Sequence, residues 1–151
     1  VGRRVVQYDR RRREIIDADG VRAKFGVGPE SIADYLGLVG DTADGFPGLP
    51  GWGAKSAGLV LGRYIHIENI PAAAGQWDVA GLRGAPKLSA TLQAQLADAL
   101  LFREIATVVT DIDVGTVDEW HWTGPTAGFA AVAAEIDAPD LVAFAERLRP
   151  R

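Results

Sequence analysis

Two short features of the chain have the residue types and spacing for chemistry. The first is Asp41 and Asp44, three positions apart, after an apolar segment and before Pro47. Two carboxylates at that separation can converge on a hard divalent cation, Mg²⁺ or Mn²⁺, which takes oxygen ligands and keeps several waters. Two alone do not complete such a site. The second feature is Gly51-Trp52-Gly53 running into Ala54-Lys55-Ser56. Glycines there let the backbone turn sharply and bring its N–H groups close to a ligand, and a helix opening at Ala54 adds the positive end of its dipole. That arrangement suits a phosphate, and because its donors are backbone amides and one ammonium it reads no bases. Each feature alone also has a plainer reading. Asp-rich loops are mostly turns bonded to their own backbone, and an isolated Gly-x-Gly is mostly a turn.

These features need elements to hold them. Pro29 to Val39 places Ile32, Tyr35, Leu36 and Val39 at helical spacing, with Pro29 suited to the first turn. Gly40 to Gly53 is too rich in Gly and Pro for a regular element and reads as a structured loop. Ala54 to Tyr64 reads as a mostly buried helix, His66 to Ile70 as one further helical turn, and Ala72 to Gly84 as an irregular connector. From Lys87 to about Val108, Leu88, Leu92, Leu96, Leu100, Leu101 and Ile105 recur at the spacing of one long amphipathic helix, which ends at Asp111 to Gly115. Upstream, Val5, Val6 and Tyr8 and then Glu14, Ile15 and Ile16 read as two strands joined by the basic turn Asp9 to Arg13. Val21 to Phe25, entered through Asp19 and Gly20, carries no predicted element. Downstream, Phe129, Val132, Ala133 and Ile136, then Leu141, Phe144, Ala145 and Leu148, predict two more helices. The expected fold is mostly α with a small N-terminal β hairpin.

A chain of 151 residues with 48% hydrophobic and 24% charged side chains is an ordinary globular composition. No apolar stretch approaches the roughly 20 residues of a membrane-spanning helix, so no membrane partner is expected. The absence of Cys excludes disulfides, thiolate metal sites and cysteine nucleophiles. The basic N-terminus is followed by no apolar signal region, and a cytoplasmic protein is expected. The sequence has no Met and starts at Val1 in a strand-like stretch, as a piece of a longer protein would. Net charge is −4, but unevenly placed: residues 1–63 carry ten Lys or Arg against eight carboxylates, and the remainder six against twelve. An anionic partner is expected on the first half.

Taken together, the motifs resemble one family. Phe25-Gly26-Val27-x-Pro29-Glu30 precedes the first helix, and Asp34-Tyr35-Leu36-x-Leu38-Val39-Gly40-Asp41-x-x-Asp44 crosses its end. Pro47-Gly48-x-Pro50-Gly51-x-Gly53-x-Lys55-x-Ala57 fills the loop, and Ile67-Glu68-Asn69-Ile70 follows the second helix. This run is similar to the bacterial 5′→3′ exonucleases and flap endonucleases, including the 5′-nuclease domain attached to DNA polymerase I. The likeness covers about the first 110 residues.

The resemblance implies a helix-three-turn-helix (helix-hairpin-helix) element whose Gly-rich hairpin grips the backbone of double-stranded or flap DNA beside a bound K⁺. It implies DNA contacts at Gly48, Gly51, Trp52, Gly53, Lys55 and Ser56, with main-chain carbonyls at Leu49 and Trp52 facing K⁺. It assigns Asp41 and Asp44 to the second of two active-site divalent metals, Mg²⁺ or Mn²⁺, in a mechanism where paired ions activate water and stabilise the leaving oxygen. The family's other metal-binding carboxylates belong to a nuclease core preceding this segment, so no catalytic residue is expected here and the chain alone is expected to bind DNA as a monomer without cutting it. Residues 1–28 would then be a hairpin and connector left from that core, 29–110 the DNA-binding domain and 111–151 a helical extension. The acidic end lacks a linker-like pattern, which favours a stand-alone nuclease over a polymerase fusion. Gly45 departs from the family by standing where many relatives have Asn. The alternative is a non-catalytic helix-hairpin-helix DNA-binding module in which the aspartates only shape the loop.

Other polar and aromatic residues read more plainly. His66 and His121 have no ligand-pattern neighbours and are expected to be structural or on the surface. Arg10 to Arg13 reads as a solvated turn and only secondarily as a phosphate contact. Asp111 and Asp113 read as capping and solvated residues. Trp120 and Trp122 alternate with His121 and are expected to pack on one face.

Overall fold

Asp9 sets the first reversal of the chain, its Oδ1 accepting the amides of Arg11 and Arg12 at 2.9 and 3.0 Å. The flanking strands, β1 (Gln7–Asp9) and β2 (Glu14–Ile16), pair antiparallel with Gln7 opposite Ile16 and Asp9 opposite Glu14. The expected hairpin is present, and Arg10 to Arg13 form its exposed turn. In this computed structural model, which describes residues 1–150, the chain divides into two units, Val1–Val108 and Val109–Arg151.

The first unit contains a helix that periodicity did not predict, α1 (Ala18–Phe25). Eight residues with Gly20 inside show little amphipathic pattern, so its ends define it. The Asp17 side chain caps the start by accepting the Gly20 amide at 2.9 Å, and Gly26, in the left-handed conformation, returns its amide to Arg22. A 3₁₀ turn at Pro29–Ser31 leads into α2 (Ile32–Val39), so the helix predicted from Pro29 starts with a tighter turn. The next helix, α3 (Ala54–Tyr64), has the predicted bounds, and a 3₁₀ turn at Ile67–Asn69 follows it.

The single long helix predicted from Lys87 is two helices, α4 (Ala85–Ala94) and α5 (Leu96–Ala106), which break at Gln95. The Thr91 hydroxyl bonds back to the Lys87 carbonyl at 3.0 Å, an interaction that bends helices, and beyond the break Leu96 and Leu101 are exposed while Leu100 is partly buried against the core. Leu88 and Leu92 of α4 enter the core around Trp52 and Ile70, whereas α5 lies along α2. That approach is close: a Cβ on Gly37 would stand 2.8 Å from the Ala99 carbonyl oxygen. The core joins Val27, Tyr35, Leu38, Val60, Leu61 and Ile67 to these leucines. Bonds from Trp77 Nε1 to the Pro71 carbonyl and from Ser89 Oγ to the Ala72 carbonyl, both 2.6 Å, tie down the connector.

The second unit contains α6 (Phe129–Glu135) and α7 (Asp140–Arg147), close to their predicted positions. Ala133 is buried, but Trp120 and Trp122 are 58% and 45% exposed, which overturns the expectation that both indoles pack. They lie in a turn and an irregular segment, where alternation has no sheet to give it a buried face. Among the described residues no helix is long and apolar enough to cross a membrane.

Candidate nucleic-acid interface

The loop between α2 and α3 brings the two predicted features onto one short stretch of backbone. Just past α2, Asp41 and Phe46 pair through both amides, with N–O distances of 3.0 and 3.2 Å. Phe46 is buried and stacks on Phe102 of α5, the ring centres 5.7 Å apart, which anchors the turn. The four residues between carry Asp44 at the exposed tip. Gly45 has φ of 84° with open space around it, a left-handed conformation that Gly adopts without strain.

Asp41 is half-buried, and its Oδ1 accepts the amides of Ala43 and Asp44 at 2.9 and 3.4 Å. Its other oxygen and the Asp44 carboxylate accept no hydrogen bond from the described residues. These donors suit a hard divalent cation in kind but not in number. Among the described residues no cluster of three or more His, Asp or Glu side chains is placed to hold a metal.

From Pro47 the chain returns across the end of α2, the Leu49 amide bonding to the Leu38 carbonyl at 2.8 Å. Gly48 is buried there, and a Cβ would collide with the backbone of Val39 and Gly40. The structure therefore makes Gly48 a packing residue, out of reach of a surface ligand. The next turn runs from Leu49 to Trp52, closed by the Trp52 amide on the Leu49 carbonyl at 3.1 Å, with Pro50 second and Gly51 third at φ 83°. That is the turn type which needs positive φ at its third residue. Leu49 and Trp52 are both buried by their side chains, and the Trp52 indole N–H donates to the Leu88 carbonyl at 3.3 Å. The Trp52 indole is a core group, so what these two residues can present to a ligand is main chain.

The turn delivers the chain to the start of α3. Gly53 is the residue before the helix, and the Ser56 hydroxyl both accepts its amide and donates to its carbonyl, each at 3.0 Å. The hydroxyl is thus committed to closing the first turn. The amides of Gly51, Ala54, Lys55 and Ser56 have no acceptor among the described residues. Lys55 is exposed and forms no ion pair among the described residues. Nothing approaches within 4 Å of a Cβ position on Gly51 or Gly53. For Gly51 the turn explains the glycine, but Gly53 is extended at φ −149°, a conformation open to any residue. Its lack of a side chain leaves the unpaired amides uncovered.

One constellation was missed by sequence reasoning. Asp34, 2% exposed on α2, accepts His66 Nδ1 at 2.9 Å, the Ile67 amide at 3.1 Å and Arg103 Nη1 at 3.1 Å. Arg103 also reaches Glu68 at 2.6 Å. These bonds hold the carboxyl of Glu68 below its ordinary range and push the guanidinium of Arg103 up, each mainly through their mutual hydrogen bond. The available signal was an Asp at a core-facing helical position between Ile32, Tyr35 and Leu38. His66 is accordingly structural.

Residues 27–127 match the family described as 5'-3' exonuclease, C-terminal SAM fold. The chain is 42% identical over 100 residues to DNA polymerase I of Pseudomonas aeruginosa, which covers 66% of this chain and 11% of that protein. It is 32% identical over 100 residues to the 5'-3' exonuclease of Buchnera aphidicola, covering 66% and 35% respectively. It is 32% identical over 111 residues to flap endonuclease Xni of Vibrio campbellii, covering 73% and 40%. The chain therefore spans well under half the length of these relatives. With its helical fold, its loop of Asp41 to Gly53 and this match over two-thirds of its length, the chain belongs to the C-terminal SAM-fold family of 5'-3' exonucleases.

Proposed function

We propose that this chain is the DNA-gripping part of a 5′→3′ exonuclease or flap endonuclease of DNA replication and repair. It holds the sugar-phosphate backbone of double-stranded or flap DNA without regard to sequence. The observation that carries this reading is the group of unpaired amides at Gly51, Ala54, Lys55 and Ser56, beside the free ammonium of Lys55 and uncovered by Gly53. A helix start of this kind favours phosphate through both donors and dipole. Main-chain carbonyls at Leu49 and Trp52 would face a K⁺ at the hairpin, as the resemblance implies.

Asp41 and Asp44 would lend oxygen ligands to a divalent Mg²⁺ or Mn²⁺ whose remaining ligands come from a nuclease core on the natural chain. When bound, such an ion supplies charge stabilisation at the phosphodiester. This chain's own residues bind and orient the duplex. Alone, it binds DNA as a monomer and does not cut it, and it works in the cytoplasm.

A second reading, a non-catalytic DNA-binding module, draws support from the bonds of Asp41 Oδ1 to the amides of its own turn. Both readings require DNA binding. Fluorescence anisotropy of a labelled 5′-flap duplex, with the wild type and Lys55→Glu at two KCl concentrations, tests it. Binding by the wild type that weakens at least tenfold in the variant is expected; equal binding by both overturns the proposal.

A further inference from the structure

Two depressions share Lys55, in the first turn of α3, and each carries a further cation from a different part of the chain. Lys24, Phe25, Gly26, Tyr35, Lys55 and Gly58 line a hollow of about 330 Å³. Lys55, Ser56, Leu59, Leu82 and Arg83 line one of about 150 Å³. Lys55 borders both. Lys24 comes from the last turn of α1, where its ammonium lies 4.8 Å from the centre of the Phe25 ring, and Arg83 comes from the connector just before α4. All three are exposed, and none forms an ion pair among the described residues.

Among the other cations of this unit, Arg3, Arg4, Arg10 to Arg13 and Lys87 also form no ion pair among the described residues but line neither hollow, and the rest are neutralised. Arg22 is held by Asp19 at 3.1 Å, Arg63 by Asp78 at 3.4 Å, and Arg103 by Asp34 and Glu68. Charge neutralised inside the protein has less to offer a polyanion, whereas free cations lining the same hollows as Lys55, beside the unpaired amides, lower the potential energy of successive phosphates.

We propose that Lys24, Lys55 and Arg83 form a continuous track for the phosphates of one DNA strand, crossing the start of α3 from α1 to the connector. This rests on the DNA-gripping reading and extends it beyond the Gly-rich hairpin. The occupant is the backbone of duplex DNA, because the three groups are charges on long flexible side chains with no arrangement for reading a base edge. It also places one phosphate-binding cation, Arg83, in the acidic later part of the sequence.

The test is the salt dependence of binding to a 5′-flap duplex, measured for the wild type, Lys24→Ala, Arg83→Ala, the double variant, Lys55→Ala and Arg22→Ala. Removing one phosphate-binding cation should reduce the slope of log K against log salt by about 1, so Lys24→Ala and Arg83→Ala each lower it by about 1 and the double variant by about 2. Arg22→Ala should keep the wild-type slope. Melting curves should coincide throughout, since these side chains are exposed. An unchanged slope at Lys24 or at Arg83, with Lys55→Ala still weakening binding, overturns the track and leaves the DNA-gripping function standing. Failure of the wild type to bind overturns both.

Discussion

Arg103 on α5 and Asp34 on α2, 69 residues apart in sequence, meet at 3.1 Å with the Asp34 carboxylate almost wholly buried. The pair ties α2 to α5, the helix whose Phe102 stacks on Phe46 of the loop that follows α2. A buried carboxylate is tolerated only when its lone pairs are satisfied, and here three donors do so. Arg103→Ala leaves Asp34 short of its cationic partner and should cost about 3 kcal/mol, as removal of one member of a buried pair does. Urea denaturation monitored by Trp fluorescence measures this, and Asp34→Ala should cost at least as much.

Glu68 gives the same network a pH dependence. Its folded pKa lies below the ordinary 4.5, chiefly because of the hydrogen bond from Arg103. Its contribution is therefore present above the unfolded value and is lost as pH falls through the lower folded value. Half of the side chain is exposed, so the effect is modest. Glu68→Gln should lower stability at pH 7 and give a shallower fall between pH 5 and 3 than the wild type, read from urea midpoints across that range.

Gly53→Asp should separate folding from binding by sign. Asp is a better residue than Gly ahead of a helix and also complements the dipole, so stability should hold or rise by about a few tenths of a kcal/mol, with the melting temperature unchanged or slightly higher. The same carboxylate faces incoming phosphate, and affinity for a flap duplex should fall more than tenfold. Parallel thermal melts and anisotropy titrations decide it; a variant that binds as the wild type does removes Gly53 from the interface.

Gly37→Ala should do the opposite. Its new methyl meets the Ala99 carbonyl oxygen at 2.8 Å, and both partners are helix backbone. Forcing α2 and α5 apart should cost about 1–3 kcal/mol and displace the Phe46–Phe102 stack. Thermal denaturation reads the first effect, and nuclear magnetic resonance shifts of the two rings read the second.

Asp41→Asn with Asp44→Asn tests the metal assignment without destroying the turn, because an Asn oxygen can still accept the Ala43 amide. Mn²⁺ should broaden the amide resonances of residues 41–45 in the wild type and leave them sharp in the double variant. Equal broadening in both would place the ion elsewhere, and no broadening in either would favour a loop-shaping role.

Local patterns decided much of this protein. The hairpin around Asp9, the bounds of α3 and the approximate positions of α6 and α7 follow from alternation, helical spacing and end signals, all of which act within a few residues. The Asp41 turn and the Gly-rich turn at Gly51 were legible for the same reason, since turn chemistry is local. Tertiary structure decided the rest. It broke the long leucine pattern at Gln95, where Leu88 and Leu92 of α4 enter the core and Leu96 and Leu101 of α5 stay exposed. It turned Gly48 and the indole of Trp52 inward, because the loop must close on the end of α2 and fill the space beside Leu88. It brought Asp34, His66, Glu68 and Arg103 together, and it set Lys24 and Arg83 each in a hollow that Lys55 also lines. Such meetings depend on how helices stack, and no spacing within a single segment encodes the distance between residues on different ones.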